Sequence, residues 1–223
     1  MHLKRIAAPK TWPILRKEKV FVTVGKSPHK LELSLPLIII LRDLLKAANN
    51  TREIKKIISE KNIIINNKIV KDVKFRAGLF DRIYIKKLEK YFSLYLTEKG
   101  KLEVKEISKE KSEFKPCKII GKKILKGNKI QINCIDGRNF IVDSNKFKIG
   151  DTIIINLKDN KIVKHLGIEK GNFALVIKGK NRGAYGKIES VNSMVTLSLK
   201  NKKITIPRKN LFVLEENEIE RTK

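Results

Sequence analysis

Between residues 37 and 85 the apolar positions first follow a helical period and then switch to short continuous runs. Ile38, Leu41, Leu44, Leu45 and Ala48 fall on one helical face, which predicts a buried helix. Asn50, with Glu53 three residues on, has the form of a capping box and opens a second helix. That helix turns Ile54, Ile57 and Ile58 toward a core. Its Arg52, Lys55 and Lys56, spaced i, i+3, i+4, project together from another face. Ile63-Ile64-Ile65, Asn66-Asn67 and Lys68-Ile69-Val70 then read as a tight hairpin, because Asn tolerates the positive φ that such a turn needs. A closing strand completes the unit. A helix–helix–hairpin unit with one basic face suits docking on RNA; the plainer reading is a solvated, lysine-rich helix.

Further on the pattern becomes strand-like. Short runs at 91–96, 130–135, 140–142 and 152–157 alternate with turn signals such as Lys99-Gly100, Asp136-Gly137 and Asp159-Asn160. Their spacing predicts a small barrel or sandwich, with residues 105–115 as a solvated helix or loop between strands. From Phe173 the chain alternates again, as a strand with two buried faces. Gly179 and Gly183 bracket a loop whose tip is Lys180, Asn181 and Arg182. Glycine permits tight backbone close to a ligand, and the cations supply phosphate contacts; an ordinary lysine-rich hairpin turn is the alternative. Gly186 releases the chain into the next strand. The acidic tail, 215–223, is expected to fray.

Residues 1–36 carry eight basic residues against two acidic ones, and prolines at 9, 13, 28 and 36 break any long helix. This predicts an extended basic arm that orders on nucleic acid. Trp12 is expected to anchor the arm to the body rather than stack on RNA.

Charge narrows the partners. The chain of 223 residues is 41% hydrophobic, enough for one or two cored domains, yet carries a net charge of +28. Such an imbalance repels itself unless a polyanion neutralises it, which points to nucleic acid. A membrane is the competing polyanion, but the longest apolar run, 35–41, is far short of the ~18 residues a spanning helix needs, and the N-terminus shows no signal-peptide pattern. Cys117 and Cys134 lack paired-ligand spacing and suit packed thiols in a reducing compartment. His2, His29 and His165 are scattered, so no zinc-enzyme motif can be assembled, and no phosphate-binding GxxxxGK[ST] run is present. An Asp at 136 could tempt a catalytic reading; Asp-Gly is equally a hairpin turn. No cofactor, metal or small-molecule substrate is expected, and no enzyme.

Two stretches carry a resemblance. Residues 50–58 followed by 62–68 look like the S-four-type RNA-binding module. They depart from its pattern at Asn62 and Asn67, where glycine is usual, and at Ile54, where Ala is usual. Asn is the next-best residue for the left-handed region, so both turns should survive. Residues 171–188 resemble the KOW motif. With His2-Leu3-Lys4-Arg5, Ala8-Pro9, Trp12, 25–30, Leu35-Pro36-Leu37, Gln131-Ile132-Asn133 and 136–139, the whole chain resembles the small-subunit ribosomal protein four-e family, in its archaeal form because little follows the KOW unit.

The resemblance implies an α+β protein in five parts: a basic arm (1–36), an S-four-type module (37–88), a β-rich central domain (89–170), a KOW SH3-like β-barrel (171–214) and an acidic tail (215–223). It implies a structural constituent of the small ribosomal subunit, in the cytoplasm, with small-subunit ribosomal RNA and neighbouring ribosomal proteins as partners. The RNA-facing residues expected are Lys4, Arg5, Lys10 and Arg16 on the arm, then Arg42, Lys46, Arg52, Lys55, Lys56, Lys68 and Arg76 on the module. Arg138 is expected from the central domain, and Lys178, Lys180, Asn181, Arg182, Tyr185 and Lys187 from the KOW unit. A transcription or translation factor that uses the KOW unit for docking is the alternative.

Overall fold

The computed structural model describes residues 2–143, 145–199 and 202–219. It divides into two units, the first Met1–Leu96 with Lys101–Lys115, the second Thr97–Gly100 with Pro116–Lys223. The chain is mostly β rather than α+β. Among the described residues the regular α-helices are Thr51–Ser59 (α1) and the one-turn Lys109–Ser112 (α2) and Glu216–Ile219 (α3).

In the first unit the chain pairs β1 (Leu3–Lys4) with β2 (Phe21–Val22), and β3 (Ser34–Pro36) with β6 (Arg76–Gly78). The main sheet comprises β4 (Ile63–Ile65), β5 (Lys68–Ile69), β7 (Arg82–Ile85), β8 (Lys90–Leu96) and β9 (Leu102–Ile107). They lie antiparallel in the order β5-β4-β7-β8-β9. The boundary drawn at 88/89 from sequence therefore falls inside a sheet: β8 pairs directly with β7, and Ile83 faces Phe92.

The first predicted helix departs from its pattern. Residues 37–41 are all buried, so the segment is apolar on every side and no single face can be read from it. It forms a π-helix, Ile39–Leu44, in which the Leu45 amide donates to the Ile40 carbonyl at 2.9 Å. It stops at Lys46, whose φ of 49° is left-handed, so Leu44 and Leu45 are only half-buried.

The second helix follows its local chemistry closely. Asn50 Oδ1 accepts from the amides of Arg52 at 2.9 Å and Glu53 at 3.0 Å, while Glu53 reaches back to the Asn49 amide at 2.8 Å. Ile54 and Ile58 are buried, each contributing about 1.5–3 kcal/mol of apolar transfer. At the other end the Lys61 amide donates to Ile58 and the Asn62 amide to Ile57, a Schellman closure. The left-handed residue is Lys61, at φ 56°, not Asn62. Asn66 and Asn67, at 48° and 62°, form the expected tight turn.

The basic arm is not extended. Trp12 is buried and its indole nitrogen donates to the Leu31 carbonyl at 3.2 Å, so it is the anchor. Arg16 clasps the carbonyls of Ile6, Ala8 and Pro9 at 2.8–3.0 Å. An arm with several internal bonding partners can fold without nucleic acid.

The second unit holds two five-stranded antiparallel sheets. β10 (Phe114–Ile124, of which this unit holds the part from Pro116), β11 (Ile130–Cys134), β12 (Asn139–Val142), β13 (Thr152–Asn156) and β14 (Ile162–Leu166) run in the order β12-β11-β10-β13-β14. Cys117, Ile119, Ile132, Cys134, Ile153 and Ile155 form their core. β15 (Phe173–Val176), β16 (Tyr185–Val191), β17 (Met194–Ser198), β18 (Lys203–Pro207) and β19 (Leu211–Leu214) run β18-β17-β16-β15-β19, a curled half-barrel around Val176, Ile188, Val195, Leu197 and Val213. Lys118 is buried and its ammonium donates to the carbonyls of Lys209, at 2.8 Å, and Leu211. The tail begins as the turn α3, with Glu215 paired to Lys164 at 2.6 Å; residues 220–223, and with them part of the fraying expected of the tail, lie outside the described residues.

Candidate nucleic-acid interface

Positive charge reaches solvent on α1. Arg52, Lys55 and Lys56 are exposed, and among the described residues none of the three side chains forms an ion pair. The buried Ile54 and Ile58 fix the helix's rotation, so the three cations stay on its outer side. Lys46 and Lys68 in the same unit are also exposed, Lys68 on β5 beside the Asn66–Asn67 turn. Arg42 is different: it holds Asp43 with bonds of 2.6 and 3.0 Å, and the bond to that carboxylate raises its pKa.

Two arginines expected at the interface turn inward instead. Arg76 is buried, donates to Ser34 Oγ at 3.2 Å and His29 O at 3.4 Å, and burial lowers its pKa. Arg5 is buried and pairs with Glu18 at 3.3 Å. Both guanidiniums serve as internal braces, so they leave the RNA-facing set. Lys4 and Lys10 remain exposed on the arm, while Arg16 is half-buried by the three carbonyls it binds.

In the central sheet Arg138 is half-buried, with its Nε 3.4 Å from Asp136 and its terminal nitrogen donating to Asn160 at 3.1 Å. That pairing reduces the charge it offers to a phosphate.

The glycine-flanked loop of the half-barrel is more ordered than its composition predicts. Gly179 and Gly183 take φ of 107° and 90°. The Gly183 amide donates to Val176 O at 2.9 Å, Arg182 to Gly179 O at 3.3 Å, and Ala184 to Asn181 O at 3.1 Å. A methyl group at Gly183 would collide with the Thr97 carbonyl, and one at Gly186 with the Ser198 carbonyl, so both positions exclude a side chain by contact. Lys178, Lys180 and Lys187 are exposed; Asn181, Arg182 and Tyr185 are half-buried. Burial, then the hydrogen bond and charge of Glu98, push the Tyr185 hydroxyl above its ordinary pKa, so it stays a donor.

Sequence reasoning missed the lysines that never reach solvent. Lys115 and Lys118 are buried, and nothing in their local spacing separates them from the exposed lysines around them. It also missed Glu98 and Lys202, which flank the half-barrel loop. Among the described residues no group of three His, Cys, Asp or Glu could hold a metal, and no helix is long and apolar enough to cross a membrane.

Comparison with known proteins places the chain in a family. The profile of ribosomal family S4e matches residues 88–162 and that of the RS4NT (NUC023) domain residues 1–32. The small ribosomal subunit protein eS4 of Methanosphaera stadtmanae is 39% identical over 218 residues, covering 97% of this chain and 86% of that protein. Its counterpart in Methanocella arvoryzae is 35% identical over 216 residues, covering 96% and 91%. The crystal structure of the 30S ribosomal protein S4e from Thermoplasma acidophilum matches with a TM-score of 0.72 at 26% identity, over 83% of this chain and 97% of that one. With identity at this level over nearly the whole length of both partners, the chain belongs to the S4e family of ribosomal proteins.

Proposed function

We infer that the chain is a structural, non-catalytic component of the small ribosomal subunit in the cytoplasm, bound to its ribosomal RNA and beside other small-subunit proteins. The observation that carries the RNA contact is α1: three cations at fixed helical spacing, exposed and engaged in no ion pair among the described residues. That arrangement suits phosphate contact, because a cation already paired internally has less charge to offer.

The functional division follows the landmarks of the sequence: an arm (1–36), an S-four-type module (37–88), a central domain (89–170), a KOW unit of SH3-like barrel type (171–214) and a tail (215–223). The pairing of β8 on β7 supports adding the two strands after residue 88 to the module's sheet. The RNA-facing residues are then Lys4, Lys10, Lys46, Arg52, Lys55, Lys56 and Lys68 in the first unit. In the second they are Lys178, Lys180, Asn181, Arg182, Tyr185 and Lys187.

The test is binding of the full chain to transcribed small-subunit RNA across a salt series, with footprinting at low salt. Contact with roughly six to ten phosphates predicts a loss of ~10³ or more in affinity between 50 and 200 mM salt. A nearly flat plot would remove the reading. One copy per small subunit, retained through a moderate salt wash, separates a resident component from a soluble factor.

A further inference from the structure

Within the second unit the half-barrel loop opens onto a cleft of about 590 Å³. Lys180, Arg182 and Lys202 line it together with Tyr185, Ile204 and, singly among these, an acid: Glu98. A site built only for phosphate has no use for a carboxylate, since like charge beside the ligand costs binding. The Glu98 carboxylate holds the Tyr185 hydroxyl, and its remaining lone pairs still accept hydrogen bonds. What it fits is a neutral group with two adjacent N–H donors.

Resting on the ribosomal-RNA reading, we propose that this cleft takes one unpaired guanine nucleotide of the RNA, with Glu98 accepting from the N1–H and N2–H₂ edge of the base. Guanine alone among the four bases presents two neighbouring donors on that edge; adenine and cytosine offer one amino group beside an acceptor, and uracil one N–H between two carbonyls. The half-exposed Tyr185 ring gives the base a face to stack on, and unpaired bases are read in this way, by stacking and edge contacts together. Ile204 supplies apolar wall. Lys180 and Lys202 are exposed at the cleft, where they meet the flanking phosphates. The volume lies within the ordinary range for small-ligand sites and admits a nucleotide, not a duplex.

The parts are set before a ligand arrives. The Thr97–Gly100 turn, which carries Glu98, abuts Gly183 so closely that no side chain fits there. The Gly183 amide is bonded to Val176 and that of Ala184 to Asn181. Tyr185 follows directly in β16, which pairs with β15 through Leu175. Binding therefore costs little backbone ordering entropy.

The experiment uses the full chain and labelled single-stranded uridine decamers that carry one central G, A, C or U, titrated at several salt concentrations. The guanine decamer should bind ~10-fold tighter than the other three, in keeping with a bidentate base contact. Glu98→Gln should bring that ratio to about 1 with the salt slope unchanged. Tyr185→Ala should weaken all four decamers by ~5-fold or more, as removal of a stacking ring does. The pair Lys180→Ala and Lys202→Ala should lower the slope by ~0.7 per phosphate on a single strand while keeping the guanine preference. Near-ultraviolet circular dichroism checks that each variant is folded. No preference for guanine in the wild type, or a preference that survives Glu98→Gln, overturns the proposal. If salt-dependent binding to small-subunit RNA persists in that case, the ribosomal reading stands without it; a flat salt plot with every RNA removes both.

Discussion

Asp81→Asn exchanges one carboxylate oxygen for an amide nitrogen at a point where four donors converge. Asp81 is 1% exposed. Lys115 Nζ lies 2.7 Å from Oδ1, with the Asn66 amide at 2.9 Å on the same oxygen; His29 Nε2 lies 3.2 Å from Oδ2 and the Gly78 amide 2.7 Å. The four come from the arm, the hairpin turn, β6 and the strand after α2, so one carboxylate ties distant parts of the first unit together. Burial pushes its pKa up, but the charge of Lys115 and the charge and hydrogen bond of His29 outweigh that and hold it well below the carboxylate range. The substitution removes the counter-charge of a lysine that is itself 1% exposed and turns one acceptor into a donor facing donors. Breaking one side of a buried pair costs about 3–5 kcal/mol. With a urea m-value of ~2 kcal/mol/M, the midpoint should fall by ~1.5–2.5 M.

Trp12 makes the assay specific. It is the single tryptophan, buried at 2% exposure in the first unit, so its fluorescence follows that unit alone. A midpoint shift of less than ~0.5 M, equivalent to about 1 kcal/mol, would refute the view that this carboxylate organises the unit. The double variant Asp81→Asn with Lys115→Met should lose less than the sum of the two singles, since neither charge is then left facing the other's vacated site. The pH dependence has a definite sign. Because the folded pKa is depressed, the stabilisation from Asp81 is fully present above the ordinary carboxylate pKa of about 4 and is lost as pH falls from there toward the folded value. Below pH ~4 the wild type should therefore lose stability more steeply than Asp81→Asn.

Three further outcomes are expected. Neutralising Arg52, Lys55 and Lys56 together to Gln should reduce the RNA salt slope by ~0.7–0.9 for each phosphate no longer neutralised, with a footprint change distinct from that of the Lys180 and Arg182 double variant; identical footprint changes would sink the two-surface picture. Lys61→Gly should stabilise the first unit by about 0.5–1 kcal/mol, read by Trp12 fluorescence in urea, because glycine avoids the left-handed penalty that Lys61 bears at the end of α1. Gly183→Ala should destabilise the second unit by about 2–4 kcal/mol, the sum of positive-φ strain and collision with Thr97, seen as a lower thermal midpoint; an unchanged midpoint would show that the turn and loop can separate freely.

Features set by neighbouring residues were readable from the sequence. The Asn50 cap, the Asn66–Asn67 turn and the positive-φ glycines of the half-barrel loop depend on chemistry within a few positions, so composition and spacing determine them. The exposed cations of α1 were readable for the same reason, because Ile54 and Ile58 set which side faces out. The resemblance to the S4e family was legible in short motifs spread over the whole length, and the comparisons bear it out. What the sequence could not decide is which charges are buried. Arg76 meets Ser34 across 42 positions, Lys115 meets Asp81 across 34, and Lys118 meets Leu211 across 93. A lysine in a strand is the same local signal whether its ammonium ends in water or against a carboxylate. The pairing of β8 with β7 across 88/89 was not readable for a related reason: β8 joins that sheet through non-local hydrogen bonds, which no local period encodes. The run 37–41 resisted the helical pattern because every side of it is buried, and a segment without a solvent face carries no period to read.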